Sequence, residues 1–195
     1  MDAMPGIELQ TKHLQNCRVL TTREAMLELF PKGGVVTEVG VNKGEFSQSI
    51  LDITQPEKFH IVDIWSSERY HSGVEQTVRD RFQAEIKSGQ IEINKGMSTT
   101  VLPTFEDRYF DMVYIDSDLT YPTTAAELEI SRTKMKKGGI IAGHDFDEGS
   151  FVSVVKYGVI EAVYEFCVKY DWELIYVTME SQIGSSFAIR KIGEG

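Results

Sequence analysis

The sequence is poor in the features that mark a specialised chain. It has two cysteines, Cys17 and Cys167. Their separation matches neither a metal knuckle nor a C-x-x-C redox pair, so a reduced, cytoplasmic protein is the simple expectation. Positive charge is scarce: 20 Lys and Arg face 30 Asp and Glu, a formal net charge of -10. Nucleic acids and anionic membranes both need a basic surface, so neither is expected as a partner, although a local basic pocket stays open. No apolar run approaches the ~20 residues that span a bilayer, and the opening MDAMPGIELQ has no apolar core of a secretory signal. Internal repeats and low-complexity tracts are also missing.

What remains is ordinary for a globular protein: 195 residues, 42% hydrophobic and 26% charged. That predicts one domain over 1–195 with a real core. Residues 1–20 are a weakly patterned lead-in, irregular or helical.

Beyond the lead-in, strand and helix patterns alternate. TTREAMLELFPKGG reads as a helix, with Thr21 and Glu24 as a capping box and Pro31 with Gly33 as the stop. VVTEVG is a strand and EFSQSILDI a helix. Phe59–Trp65 is the second strand. Val74, Val78, Phe82 and Ile86 then share one helical face ending at Gly89. IEINKG and Asp111–Asp116 are the third and fourth strands. TTAAELEISRTKMKKGG is expected to be a helix capped by Thr124 and Glu127 and closed by Gly138–Gly139. IIAGHDF is the fifth strand, Phe151 to Phe166 an amphipathic core helix, and ELIYVTM and SSFAIRK the last two strands.

Such alternation means a parallel sheet in a three-layer α/β sandwich of seven strands. ESQIG, between the final two strands, is too short for a parallel crossover, so the last strand must run antiparallel. A dinucleotide dehydrogenase would continue parallel. A terminal antiparallel hairpin is the ending of the class I S-adenosylmethionine methyltransferase fold.

Ligands of open α/β sheets bind beyond the carboxyl ends of the strands. The polar residues expected there are Glu38, Gly40 and Gly44, then Asp63, then Met97 and Ser98, then Asp116 and Asp118, then His144 and Asp145. Gly40 and Gly44 allow a sharp turn and a close backbone approach. Asp63 follows by about 20 residues, the separation at which an acid meets ribose hydroxyls.

EVGVNKGEFS resembles the first motif of class I S-adenosylmethionine-dependent methyltransferases, acid-x-Gly-x-Gly-x-Gly, with Asn42 where the middle glycine often falls. GMSTTVLPTFEDRYFDMVYIDSD is similar to the matching stretch of catechol O-methyltransferase-like enzymes. YIDSDLTYPTTAAELE and MKKGGIIAGHDF resemble the sugar O-methyltransferases of macrolide and aminocoumarin biosynthesis. The likeness covers roughly residues 20–192.

The resemblance implies a role for each matching position. Glu38, Gly40, Val41, Asn42 and Gly44 would line the methionine part of S-adenosylmethionine. Asp63 would hold the ribose hydroxyls, with Ile64 and Trp65 nearby, and Met97 and Ser98 would meet the adenine. Asp116 would touch the cofactor and open a divalent-metal site for Mg or Mn, completed by His144 and Asp145, where metal-dependent relatives carry Asp-Asp or Asp-Asn. Asp118 matches the general-base candidate of the sugar enzymes. Without a metal, His144 would be the base, its ordinary pKa of ~6.5 being well placed. The plain alternative for Asp116 and Asp118 is a pair of solvated or helix-capping acids.

The expected activity is O-methylation of a small hydroxyl acceptor, a sugar or polyol first and a catechol second. The rivals are an NAD-dependent oxidoreductase and an inactive S-adenosylmethionine-binding module. Acceptor specificity is expected from the lead-in, from the loops 66–76 and 146–153, or from a second subunit of a homo-oligomer. Tyr70, His71, Tyr121 and Asp147 are further candidates for the acceptor pocket. His60 is expected to be a strand residue with a local hydrogen bond, and Cys167 to be packed rather than reactive.

Overall fold

The β-branched runs of the sequence become the strands of one sheet. In the computed structural model, residues 4–65, 73–150, 155–180 and 184–194 are described. The chain runs β1 (Arg18–Leu20), α1 (Arg23–Leu27), β2 (Val35–Val39), α2 (Glu45–Thr54), β3 (Lys58–Asp63), α3 (Val74–Arg81), α4 (Gln83–Ser88), β4 (Ile91–Lys95), α5 (Ser98–Val101) and β5 (Phe110–Ile115). It continues through α6 (Tyr121–Lys134), β6 (Met135–Gly143), the short pair β7 (Gly149–Ser150) and β8 (Val155–Lys156), α7 (Val159–Tyr170), β9 (Trp172–Thr178) and β10 (Phe187–Lys191).

The sheet order is β1-β9-β10-β6-β5-β2-β3-β4. β2 pairs parallel with β3 and β5, and β5 pairs parallel with β6. β10 inserts antiparallel between β6 and β9, the return that the short final connection demanded. The sheet has eight strands rather than seven, because Arg18–Leu20 of the lead-in adds a parallel edge strand to β9.

Alternation along the strands splits the core in two. On β3, Phe59 and Ile61 join Leu27, Phe46, Ile50, Phe82 and Tyr114 on one face. Val62 joins Leu102, Phe110, Val113, Leu128, Phe166 and Phe187 on the other. Cys167 is fully buried in that second core, where burial pushes its thiol up to about 12, so it is packed and unreactive.

Four local expectations change. The cap of α1 is Thr22, whose hydroxyl accepts the N–H of Ala25 at 3.1 Å; Thr21 does not cap it. The helix expected over Val74 to Ile86 breaks at Phe82, which is fully buried and lies where a Cβ on Gly44 would fall 2.9 Å from its ring. α6 starts at Tyr121 with Pro122 in its first turn, so Thr124 and Glu127 are not its capping box. The Lys136–Gly139 stretch is strand: Lys136 reaches back to Asp111 at 2.6 Å, and β6 carries through both glycines. The late helix is α7, and Val155–Lys156 before it pairs as a strand with Gly149–Ser150; residues 151–154 of that expectation lie outside the described residues.

Candidate active site

Three backbone hydrogen bonds lock the carboxyl ends of the central strands together. Gly40 N donates to Val62 O at 2.9 Å, Asp116 N to Val39 O at 2.7 Å, and His144 N to Ile115 O at 2.9 Å. The polar residues that follow β2, β3, β5 and β6 are thereby held along one edge. Backbone conformations rare for L residues gather there too: Asn42, Trp65 and Asp145 have φ of 52°, 40° and 54°. Strain of this kind concentrates where a site is over-determined by its surroundings.

The turn after β2 is tied to the acid after β3. Asp63 is 5% exposed, and its Oδ2 accepts the N–H groups of Val41 at 2.7 Å and Asn42 at 2.9 Å. Its Oδ1 accepts the N–H of Trp65 at 2.8 Å, and the Trp65 indole donates to Asn42 O at 3.0 Å. An ionised carboxylate offers about four lone-pair positions, so Asp63 keeps roughly one for a ligand. Gly40, at φ 86°, passes so close to β5 that an added Cβ would sit 2.0 Å from Asp116 O. Ile64 and Met97 flank the ends of β3 and β4 as exposed apolar side chains, 38% and 59% accessible.

Glu38 lies beneath the turn, 1% exposed and hydrogen-bonded by the Ser47 hydroxyl. Burial drives its carboxyl well above the usual range, against the opposing bond from Ser47. Asp116 is likewise raised by burial, while His144 and Arg23 pull it down. Arg23, from the first turn of α1, is a cation that the sequence reading did not place here. Its guanidinium lies over the Phe46 ring, 4.0 Å from the centroid, and its Nη1 is 3.6 Å from Asp116 Oδ2. Nothing in its local sequence signals this position; the packing of α1 on α2 creates it.

Asp116, Ser117, Asp118, Leu119, His144 and Asp145 line one hollow of about 10 Å³ between the ends of β5 and β6, room for about one water. His144 Nδ1 is 2.9 Å from Ser186 Oγ, which is 3.1 Å from the Tyr114 hydroxyl. Ser186, on the approach to β10, is a second residue missed from sequence, since only the antiparallel return brings it here. Asp118 is exposed; its carboxylate accepts Thr120 N at 2.7 Å and the Thr123 hydroxyl at 3.3 Å, so it also stabilises the start of α6. Asp147 holds Ser185 N at 2.6 Å, and the Tyr121 hydroxyl is tied to Glu165 on α7. Tyr70 and His71 lie outside the described residues.

Ser98 opens α5 and, with Ser117, hydrogen-bonds Glu127 of α6, a carboxyl with no outward exposure. His60, buried in β3, contacts the Tyr109 hydroxyl at 3.0 Å and the Asn94 amide at 3.3 Å, the local bonding expected of a strand histidine.

The residues do not fit a metal. Among the described residues, no group of three or more His, Cys, Asp and Glu side chains could hold a metal ion. Asp116, His144 and Asp145 share a hollow, and the Arg23 guanidinium stands 3.6 Å from the Asp116 carboxylate. The expected Mg or Mn site is therefore not shown among the described residues. The edge does fit a nucleoside with an amino-acid tail: it offers the remaining Asp63 lone pair, two apolar flanks and, in Arg23, a buried Nε with no hydrogen-bond partner among the described residues.

An open α/β sheet with an inserted antiparallel last strand, and with its polar residues gathered beyond the central strands, defines the class I methyltransferase fold. Residues 37–146 match a family model described as a methyltransferase domain, and the chain belongs to that family, the S-adenosylmethionine-dependent methyltransferases of class I. The rival NAD-dependent oxidoreductase is set aside by the same match and by the direction of β10. Solved structures agree in fold. A Clostridium thermocellum protein described as a candidate rRNA methylase superposes with a TM-score of 0.66 at 15% identity, over 89% of this chain and 95% of that one. A Streptococcus mutans protein described as a candidate methyltransferase, solved with S-adenosylhomocysteine, gives 0.61 at 11% identity, over 87% and 96%. A B. subtilis tRNA methyltransferase gives 0.60 at 14%, over 88% and 66%. No curated protein matches the sequence.

Proposed function

We propose that the protein methylates a hydroxyl of a small molecule, a sugar or polyol, in the reducing cytoplasm. The observation that carries this reading is the hollow that gathers Asp116, Asp118, His144 and Asp145 beside the cofactor edge. S-adenosylmethionine supplies an electrophilic methyl group, and what the chain must add is alignment and a proton acceptor. Asp118 is exposed and ready to receive the hydroxyl proton. His144 is the alternative base, its ring oriented by Ser186.

Acceptor chemistry follows from the rim. Asp116, Asp118 and Asp145 line the hollow with carboxylates, which accept hydrogen bonds from vicinal hydroxyls and repel phosphodiesters. A cavity of about 780 Å³ joins the lead-in (Met4, Pro5, Ile7) to Glu148 and Gly149 and to Ile160 and Tyr164 of α7. This is the size of small-molecule sites, and it unites two of the segments expected to set specificity. Free Cys17 and Cys167 suit a reducing compartment, and among the described residues no helix is long and apolar enough to cross a membrane.

The test combines calorimetry with S-adenosylhomocysteine and a panel of sugar, polyol and catechol acceptors. Binding, methyl ether formation and loss of turnover in Asp118→Asn or His144→Gln are expected. Binding without transfer to any hydroxyl would favour a non-catalytic cofactor-binding module instead.

A further inference from the structure

A hydrogen-bond chain runs behind the hollow, from Arg23 through Tyr114 and Ser186 to His144. The Arg23 guanidinium hydrogen-bonds the Tyr114 hydroxyl. That hydroxyl is 3.1 Å from Ser186 Oγ, and Ser186 Oγ is 2.9 Å from His144 Nδ1. Tyr114 and Ser186 are both fully buried. Ser186 is held in place by β9: its N–H donates to Thr178 Oγ1 at 2.7 Å, and its carbonyl accepts Thr178 N at 2.9 Å. His144 itself lines the hollow. Its second ring nitrogen, Nε2, lies towards Asp145: a Cβ on Gly184 would sit 3.6 Å from that nitrogen and 3.0 Å from Asp145 Oδ1.

Accounting for the protons gives the chain one direction. A guanidinium can only donate, so the Tyr114 oxygen accepts from Arg23. Burial raises the Tyr114 pKa, so the phenol keeps its own proton. Among the described residues, the acceptor within hydrogen-bond reach of that proton is Ser186 Oγ. Ser186 then has its hydrogen left for His144 Nδ1. In the reverse direction Nδ1–H would donate to Ser186 and Ser186 to Tyr114, leaving the buried phenol proton without an acceptor, which is costly. We propose that Tyr114 and Ser186 are positioning residues that fix His144 as the neutral Nε2–H tautomer. In that tautomer Nδ1 is covered by Ser186 and Nε2 already carries a hydrogen. His144 thus presents a hydrogen-bond donor on the Asp145 side and cannot take up the acceptor's proton, which leaves Asp118 to receive it. Only this last step rests on the hydroxyl reading above; the direction of the chain does not.

The tautomer can be read from nitrogen-15 shifts and proton–nitrogen couplings of the imidazole rings in the labelled full chain at pH 8, above the ordinary imidazole pKa of ~6.5. Loss of one ring's signals in His144→Gln identifies His144 among the four histidines. Wild type is expected to hold the hydrogen on Nε2 rather than Nδ1 by about tenfold or more, the scale of one strong polar contact. Tyr114→Phe removes a hydroxyl one link away from the ring, yet it is expected to lower that ratio, because it frees Ser186 to accept from Nδ1–H. Ser186→Ala, which removes the donor to Nδ1, is expected to lower it as well. Should Ser186→Ala fold poorly, Tyr114→Phe alone still decides. A wild-type ring with its hydrogen on Nδ1, or with hydrogens on both nitrogens at pH 8, would overturn the assignment. So would a ratio that Tyr114→Phe leaves unmoved. Methyl transfer assayed on the same samples separates the two readings: the Nε2–H tautomer in a protein that methylates no hydroxyl would support the positioning chain and defeat the hydroxyl reading.

Discussion

Asp63 and Val41 are joined by a 2.7 Å hydrogen bond from the Val41 backbone to the Asp63 carboxylate. The acid that ends β3 thus holds the turn after β2 in place before any ligand arrives. Asp63→Asn should therefore do two things. It weakens the anchoring of Val41, Asn42 and Trp65 backbone donors, and it places an amide N–H₂ where only an acceptor is wanted. Leaving a buried polar group unsatisfied costs about 1–3 kcal/mol, so denaturant unfolding should show a loss of that order. S-adenosylhomocysteine affinity should fall at least tenfold, about 1.4 kcal/mol. Unchanged unfolding with weakened binding would show that the carboxylate serves the ligand alone.

The legible part of this site was the part written in short-range spacing. Glu38, Gly40 and Asp63 stand at strand ends because β-branched runs precede them, and the brevity of the last connection fixed the direction of β10. Arg23 and Ser186 were not legible: each is brought to the edge by tertiary packing from more than a dozen residues away in sequence. Local punctuation also misled. Thr21 had capping-box spacing with Glu24, and the structure uses Thr22. Gly138 and Gly139 looked like a helix stop, yet the strand β6 runs through them. Thr124 and Glu127 had capping-box spacing, but Glu127 instead turns into the protein to meet Ser117 at 2.6 Å.

Gly40 allows a sharper test than Gly44. At Gly40 an added methyl would meet the backbone oxygen of Asp116 at 2.0 Å, where neither partner can swing aside, and the φ of 86° is itself unfavourable for alanine. At Gly44 the obstacle is the edge of the Phe82 ring at 2.9 Å, a side chain with some freedom. Gly40→Ala should destabilise by several kcal/mol, on the order of the large effects of combined strain and overpacking. Gly44→Ala should cost about 1–3 kcal/mol. Thermal melts of the two variants would rank them; a Gly40→Ala protein as stable as wild type would mean that β2 and β5 can separate.

Metal independence is the outcome expected from the Arg23–Asp116 pairing. With a guanidinium 3.6 Å from the carboxylate, a divalent ion would have to displace a cation that is already in place. S-adenosylhomocysteine affinity should be the same in excess EDTA and in added Mg or Mn, and the melting midpoint should not rise with either ion. A ligand that binds only the native state raises stability by RT ln(1 + [L]/Kd), so even a weak specific site would be visible. A metal-dependent midpoint that vanishes in Asp116→Asn would restore the metal.

Glu127 gives the fold a pH signature. Burial raises its carboxyl to about 7, against the hydrogen bonds from Ser117 and Ser98, while the charge of Asp118 adds to the rise. Its Oε2 is buried with no hydrogen-bond partner among the described residues. A carboxyl whose folded pKa lies above its unfolded value of about 4.3 binds more protons in the native state than in the unfolded state. The native state therefore has its full advantage from this group below pH ~4 and loses it as pH climbs to about 7, with no further change above that. The gap corresponds to about 3–4 kcal/mol at most. Glu38, also raised, pulls in the same direction, so the comparison must be with Glu127→Gln rather than with theory. Unfolding free energies of wild type and Glu127→Gln, measured from pH 5 to pH 8, should diverge steadily in favour of the variant and run parallel beyond pH 8. Parallel curves across the whole range would show that Glu127 is ionised in the native state despite its burial.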